Sequence, residues 1–102
     1  DGAPVNACLV LAQEAAGCNI VTIEGVGAHD RLHPIQAALV EHGGTQCGFC
    51  TPGIVLTAKA LLDAIADPSD AQIRTAIAGN LCRCTGYDKI VRAIAAAAKP
   101  GA

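Results

Sequence analysis

Four of the six cysteines lie in two short clusters. QCGFCTPG contains Cys47 and Cys50 as C-x2-C, and LCRC contains Cys82 and Cys84 as C-x-C. Six cysteines in a short chain also fit a secreted disulfide framework, but close pairs of this kind suit convergence on a metal better. Spacing alone fits a structural zinc ion and a [2Fe–2S] cluster equally, because both take four thiolates. The sequence therefore predicts a four-thiolate metal centre.

Each cysteine pair precedes a predicted helix, which suits an anionic bound group. Two ferric ions, two sulfides and four thiolates carry a formal charge of about −2, and reduction adds a further negative charge. Helix N-termini have partial positive charge and unpaired N–H groups that stabilise such a group. Gly48 lets the backbone approach closely. Arg83, between two cysteines, fits equally an interaction with the bound group and a position in solvent.

Apolar periodicity predicts the first two helices. One begins at His33 and stops at Gly43-Gly44, and the next has Thr51 as its N-cap with Pro52 at the first helical position and ends before Pro68. Their predicted core-facing residues are Ile35, Ala38, Leu39, Ile54, Ala58, Leu61, Leu62 and Ile65.

Two further helices are predicted in the second half. Ser69 with Gln72 forms a capping box for the third, which closes in a left-handed cap at Gly79-Asn80. The fourth has Thr85 as its N-cap and Asp88 in its first turn. Their predicted core-facing residues are Ile73, Ala76, Ile77, Ile90, Val91, Ile94 and Ala97.

The first and second halves of the predicted helical region share one order of features. GGTQCGFCTPGIVLTAKALL and AGNLCRCTGYDKIVRAIAA each run from a glycine-containing stop through two cysteines and a threonine into a helix. Two such units related by an approximate two-fold axis bring both cysteine pairs to one end of a bundle. We therefore predict a mainly α fold, in which residues 26–102 form a four-helix bundle that holds one metal centre.

Residues 1–25 have a different pattern. NACLVL and CNIVTIEG are two β-like runs that cannot bury themselves alone, so we predict a short β segment separate from the bundle. The chain contains no methionine. Asp1 is therefore not a translation start, and we expect a processed chain or a piece of a longer one.

Composition excludes several classes of partner. The chain has 102 residues, one small domain or one and a remnant, with a formal net charge of −2 and no basic run for nucleic acid. Its apolar stretches are too short or too interrupted to span a bilayer, and no positive region like that of a signal peptide is present. We predict a cytoplasmic protein without a nucleic-acid or membrane partner.

The two cysteine motifs carry a resemblance to a known family. QCGFCTPG followed by GNLCRCTGY resembles the C-terminal helical [2Fe–2S] domain of the molybdenum hydroxylases, the group of xanthine oxidase, aldehyde oxidoreductase and aerobic carbon monoxide dehydrogenase. IVTIEG resembles the crossing into that domain, and HPIQAAL resembles the start of its first helix. The likeness covers nearly the whole chain and favours iron–sulfur over zinc.

The resemblance implies a role for each matching position. Cys47, Cys50, Cys82 and Cys84 match the ligands of the [2Fe–2S] cluster nearest the molybdenum cofactor. Gln46 matches the residue that hydrogen-bonds the pterin of that cofactor, and Cys84 matches the ligand closest to the pterin amino group. The family implies a molybdopterin-binding large subunit, usually an FAD-binding medium subunit, and electron transfer without a catalytic residue in this chain. The alternative is a redox-silent module stapled by a zinc ion on the same four cysteines.

The N-terminal run departs from the family pattern. DGAPVNACL resembles the segment of a plant-type ferredoxin domain that bears the fourth ligand of a second [2Fe–2S] cluster, which implies Cys8 as an orphan ligand. In the family the other three ligands precede this segment, and the sequence does not contain them. The resemblance thus implies that residues 1–25 are the C-terminal remnant of that domain.

The remaining singled-out side chains are assigned structural roles. Cys18 is predicted to be a small buried hydrophobe. Phe49 is predicted to pack over the metal centre, and Tyr87 to open the last helix and pack. The histidines are predicted to have surface or capping roles because four cysteines already satisfy a metal; they are His29, His33 and His42.

Overall fold

The computed structural model describes residues 1–98 and confirms the four predicted helices. These are α1 (Pro34–Glu41), α2 (Thr51–Ala64), α3 (Asp70–Ala76) and α4 (Asp88–Ala97). Two short 3-10 turns, Ala7–Leu9 and Ile23–Gly25, precede them. The last four residues of the predicted bundle, 99–102, lie outside the described part of the chain.

The helices pack in a closed ring around one core. Within each half α1 packs on α2 and α3 on α4, and between the halves α1 packs on α4 and α2 on α3. If α1 is exchanged with α3 and α2 with α4, the same pairs of helices are in contact, as the predicted two-fold relation requires. The core side chains are aliphatic: Val26, Ile35, Ala38, Leu39, Ile54, Val55, Ala58, Ile73, Ile77, Ile90, Val91, Ala93 and Ile94.

Helix α1 has well-defined caps at both ends. The Nδ1 of His33 accepts a hydrogen bond from the backbone N–H of Ile35 at 3.2 Å. In return, the backbone N–H of His33 donates to Gln36 Oε1 at 2.9 Å, which completes a capping box. At the other end Gly43 has φ 69°, and Gly44 N–H donates to Leu39 O at 2.8 Å, which closes a Schellman motif. The predicted capping histidine and glycine stop are both confirmed.

The other helix termini differ from prediction in detail. Helix α2 begins at Thr51, so its N-cap is Cys50 and not Thr51. The capping box of Ser69 and Gln72 on α3 is confirmed. The left-handed cap at Gly79-Asn80 is wrong, because neither residue has positive φ and Asn80 N–H donates to Ile77 O within a right-handed turn.

The predicted β segment is also wrong. Within residues 1–98 the structure contains no strand, only an isolated bridge between Ala28 and Arg31. A strand needs a neighbour to satisfy its N–H and C=O groups, whereas this segment bonds within itself through turns such as Leu9 N–H to Asn6 O. Residues 1–22 are exposed apart from Ala15.

Contact with the bundle begins near the predicted domain boundary. Ile23 packs against the core, Val26 is buried, and the Ile23–Gly25 turn packs on α2. The division at residue 25/26 stays a prediction. Among the described residues no helix is long and apolar enough to cross a membrane.

Candidate metal centre

The thiols of the two cysteine motifs meet in pairs. One motif lies on the loop between α1 and α2, the other on the loop between α3 and α4. The side chains of Cys47 and Cys84 interact, each shifting the pKa of the other, and so do those of Cys50 and Cys82. Each pair therefore joins one thiol from each half of the chain.

The pairs differ in exposure and in proton affinity. Cys50 and Cys82 are half-buried, whereas Cys47 and Cys84 are exposed. Burial raises the pKa of Cys50. The pKa of Cys47 is lowered by the N–H of Phe49, and that of Cys84 is raised by its hydrogen bond with Cys47.

The four thiols suit a two-iron cluster. A zinc ion requires four ligand atoms about 2.0–2.3 Å from one point. A [2Fe–2S] cluster distributes four thiolates over two irons. Two separate thiol pairs match the second requirement.

Cys82 makes more hydrogen bonds than the other three cysteines of the two motifs. Its Sγ lies 3.0 Å from the Thr85 hydroxyl and accepts from the Thr85 N–H at 3.4 Å. These contacts, with the hydroxyl first, lower the pKa of Cys82 to about 7. The backbone N–H of Cys82 donates to the Tyr87 hydroxyl at 2.8 Å. This loop therefore holds both the sulfur and the main chain of a predicted ligand.

Thr85 and Tyr87 have roles that the sequence did not reveal. Thr85 was predicted as the N-cap of α4, but the N-cap is Tyr87, at φ 74°. Tyr87 packs against the core as predicted, and its N–H donates to the Thr85 hydroxyl oxygen at 3.2 Å. The spacing C-x2-T-x-Y was the available signal, since it places both side chains one turn from Cys82.

On the first loop, glycine and phenylalanine behave differently from expectation. Gly48 has φ 83°, a backbone conformation that favours glycine. Space is not the reason for glycine here, because no atom of this chain lies within 4 Å of where a Cβ would be. The N–H of Phe49 donates to Cys47 Sγ at 3.5 Å. Its ring is 93% exposed, so the predicted packing over the centre is wrong in this chain.

An amide side chain ties the second loop to α2. Asn80 Nδ2 donates to Thr57 Oγ1 at 3.0 Å across the interface between the halves. Asn80 Oδ1 lies so close to Gly53 that a Cβ there would approach it to 2.9 Å. Sequence reasoning missed this contact, because no local pattern links residues 53, 57 and 80.

The other predicted positions are exposed. Gln46 precedes Cys47 on the first loop, and Arg83 lies between Cys82 and Cys84 on the second. Cys8 is exposed on the first 3-10 turn. Cys18 is exposed and contacts Glu14 O at 3.6 Å, so its predicted burial is wrong: the segment that contains it does not pack on the core.

The histidines have the surface or capping roles predicted for them. His33 caps α1 through its Nδ1, and His42 contacts Ala38 O at 3.0 Å at the C-terminal end of the same helix. His29 is exposed.

Comparison with known proteins identifies related chains. Residues 22–95 match the family model described as "[2Fe-2S] binding domain". The nicotinate dehydrogenase small FeS subunit of Eubacterium barkeri is 50% identical over 94 residues, covering 92% of this chain and 60% of that protein.

Two solved structures share the fold. The structure of quinoline 2-oxidoreductase from Pseudomonas putida 86 superposes with a TM-score of 0.90 at 45% identity, over 96% of this chain and 62% of the other. Aldehyde oxidoreductase from Desulfovibrio gigas gives a TM-score of 0.92 at 50% identity, over 96% of this chain and 11% of the other. The chain thus spans less than two thirds of the length of these relatives.

Proposed function

This chain belongs to the family of [2Fe–2S] binding domains, and from that premise we propose that it is the electron-transfer iron–sulfur subunit of a molybdopterin-dependent hydroxylase or dehydrogenase. The resemblance of its cysteine motifs to the molybdenum hydroxylases is confirmed by its relatives. The observation that carries the proposal is the meeting of four thiols in two pairs, each formed across the two halves of the bundle.

The two thiol pairs support a proposal for how the four cysteines would bind the cluster. Cys47 and Cys84 would bind one iron, and Cys50 and Cys82 the other. When bound, the [2Fe–2S] cluster supplies one-electron chemistry. The protein supplies four thiolates, the N–H donors of Phe49 and Thr85, and two loops that each lead into a helix N-terminus. Those N-termini favour the added negative charge of the reduced state.

One edge of the site is open to a neighbour. Cys47, Cys84 and Gln46 are exposed, whereas the other two ligands are half-buried. We propose that Gln46 and Cys84 contact the molybdopterin of a large partner subunit at this edge. Electrons would enter there from the oxidation of the substrate. They would leave toward a second [2Fe–2S] cluster and, usually, FAD in a medium subunit.

Cys8 is proposed as a ligand of that second cluster, provided that three further thiolates come from residues outside this sequence. Residues 1–25 would then be the end of a ferredoxin-like domain, and residues 26–102 the cluster-binding bundle. Hydroxylation would occur in the large subunit, so this chain is proposed to contribute no catalytic residue. We also propose a cytoplasmic location, because disulfides are rare there and cluster ligation needs reduced thiols.

Metal content tests the proposal directly. Iron, acid-labile sulfide and zinc are measured on anaerobically purified chain, with electron paramagnetic resonance before and after dithionite. We expect iron and sulfide in equal amounts, about two of each per chain, and a signal that appears on reduction. Stoichiometric zinc without a reducible signal would establish the structural alternative and reject electron transfer. Adding a molybdopterin-binding large subunit then tests the partner by co-elution.

A further inference from the structure

The hydrogen bonds at Cys82 are organised around one hydroxyl group. The Thr85 hydroxyl lies 3.0 Å from Cys82 Sγ, and Tyr87 N–H donates to the same hydroxyl oxygen at 3.2 Å. We propose that Thr85 is a positioning residue that sets the reduction potential of the bound cluster through a hydrogen bond to Cys82 Sγ, with Tyr87 orienting it. The inference rests on the proposed [2Fe–2S] function.

The direction of the hydrogen bond follows from the chemistry of the partners. A thiolate bound to iron has no proton, so Cys82 Sγ can only accept. The oxygen of Thr85 already accepts from Tyr87 N–H, which occupies one of its lone pairs. The hydroxyl hydrogen is therefore available to the sulfur.

Tyr87 maintains this arrangement in an unfavourable backbone conformation. It is the only non-glycine residue with positive φ among residues 1–98, at 74°. Such a conformation is costly for a bulky residue and persists only where the surroundings enforce it. Here the enforcing contacts are its hydroxyl, which accepts from Cys82 N–H at 2.8 Å, and its packing against the core.

The hydroxyl of Thr85 differs from the other two hydrogen-bond donors to the ligand sulfurs. Cys47 Sγ accepts from the N–H of Phe49 at 3.5 Å, and Cys82 Sγ accepts from the N–H of Thr85 at 3.4 Å. Both of those donors are backbone groups, which a substitution does not remove. Within residues 1–98, Thr85 has the only side-chain hydroxyl recorded against any of the four thiols.

The sign of the effect follows from the charge change on reduction. The reduced cluster carries one more negative charge than the oxidised cluster. A donor to a ligand sulfur therefore stabilises the reduced form more. Loss of the hydroxyl should lower the reduction potential.

The test is a redox titration of the cluster-loaded chain, followed by the electron paramagnetic resonance signal of the reduced form. Thr85→Val removes the hydroxyl with little change in bulk, and Thr85→Ala removes the γ-methyl group as well. Thr85→Ser keeps the hydroxyl, and Thr45→Val removes a hydroxyl that is hydrogen-bonded to the Thr51 hydroxyl at 3.4 Å and to no ligand sulfur within residues 1–98. We expect the first two variants to show about a tenfold lower ratio of reduced to oxidised cluster at a fixed potential, equivalent to about 59 mV for one electron.

Thr85→Ser and Thr45→Val should titrate like the wild type. Unchanged potentials in the loaded Thr85→Val and Thr85→Ala chains would overturn the inference while leaving the proposed function intact. If neither variant retains a cluster and Thr85→Ser does, the hydroxyl serves assembly and the inference is likewise overturned. A wild-type chain without a reducible cluster would reject the proposed function itself, and the inference with it.

Discussion

The backbone N–H of Cys82 donates a 2.8 Å hydrogen bond to the hydroxyl of Tyr87, five residues further along the chain. Both residues are half-buried. The main chain of a proposed cluster ligand is thus held by a side chain that also opens helix α4. We therefore expect loss of this contact to weaken both the second loop and the retention of a bound cluster.

Tyr87→Phe tests that coupling, because it keeps the ring and removes only the acceptor. We expect the free energy of unfolding to fall by about 1–3 kcal/mol, since a partly buried N–H loses its partner. The cluster should also bleach faster in the presence of an iron chelator. Urea unfolding and the decay of visible absorbance measure the two effects. Equal bleaching rates in variant and wild type would show that the bond does not hold the ligand loop.

The pairing of the thiols makes a second prediction. Serine at any of the four paired positions should remove most of the iron, because each position supplies a ligand that its partner cannot replace. Cys18→Ser is the matched control, since Cys18 is exposed and contacts only Glu14 O. Iron and sulfide per chain, measured after anaerobic purification, compare the five variants. Iron loss in Cys18→Ser equal to that in the others would contradict the ligand assignment. The four paired positions are Cys47, Cys50, Cys82 and Cys84.

Backbone conformation predicts different effects for two glycines. Gly43 has φ 69° in the Schellman motif, so Gly43→Ala should lower the free energy of unfolding by about 1 kcal/mol. Gly79 has no positive φ, and a Cβ there would meet nothing within 4 Å. Gly79→Ala should change stability by less than about 0.5 kcal/mol. Urea denaturation of both variants checks the difference, and equal losses would contradict the left-handed role of Gly43.

The cap of α1 predicts a dependence of stability on pH. Burial, with a smaller contribution from Lys59, lowers the pKa of His33 below its ordinary value of 6.5. The unfolded chain therefore binds more protons than the folded chain just below pH 6.5, and stability falls as the pH drops through that window. Protonation of Nδ1 also removes the acceptor for Ile35 N–H.

His33→Asn keeps a good N-cap without a titrating ring. We expect a smaller loss of stability between pH 7 and pH 5 in this variant, measured by urea unfolding at several pH values. His29→Asn, at an exposed position, should retain the wild-type slope. A wild-type slope in His33→Asn would remove His33 as the source of the pH dependence.

Much of the bundle was predictable because its signals are local. Apolar spacing identified the four helices, and the capping box of Ser69 and Gln72 is visible within four residues of sequence. Gly43 and Gly44 likewise marked the end of α1 before any contact was known. Such features depend on interactions between near neighbours in the chain, so the sequence carries them directly.

Predictions that depended on distant neighbours were less successful. Strands were predicted for residues 6–11 and 18–25, but a strand requires a partner, and the described chain supplies none. Cys18 was predicted to be buried and Phe49 to pack over the metal centre, yet both are exposed. The burial of an apolar side chain depends on which surfaces the rest of the fold brings to it.

By itself the sequence determined the helical class, the positions of the helices and the four cysteines of the candidate site. Only the tertiary structure decided that Cys47 lies against Cys84 and Cys50 against Cys82. It also placed Asn80 on Thr57 and the Tyr87 hydroxyl on the Cys82 amide. The reason is physical: spacing and capping act over one or two turns, whereas these pairings arise when the two halves pack and their loops meet.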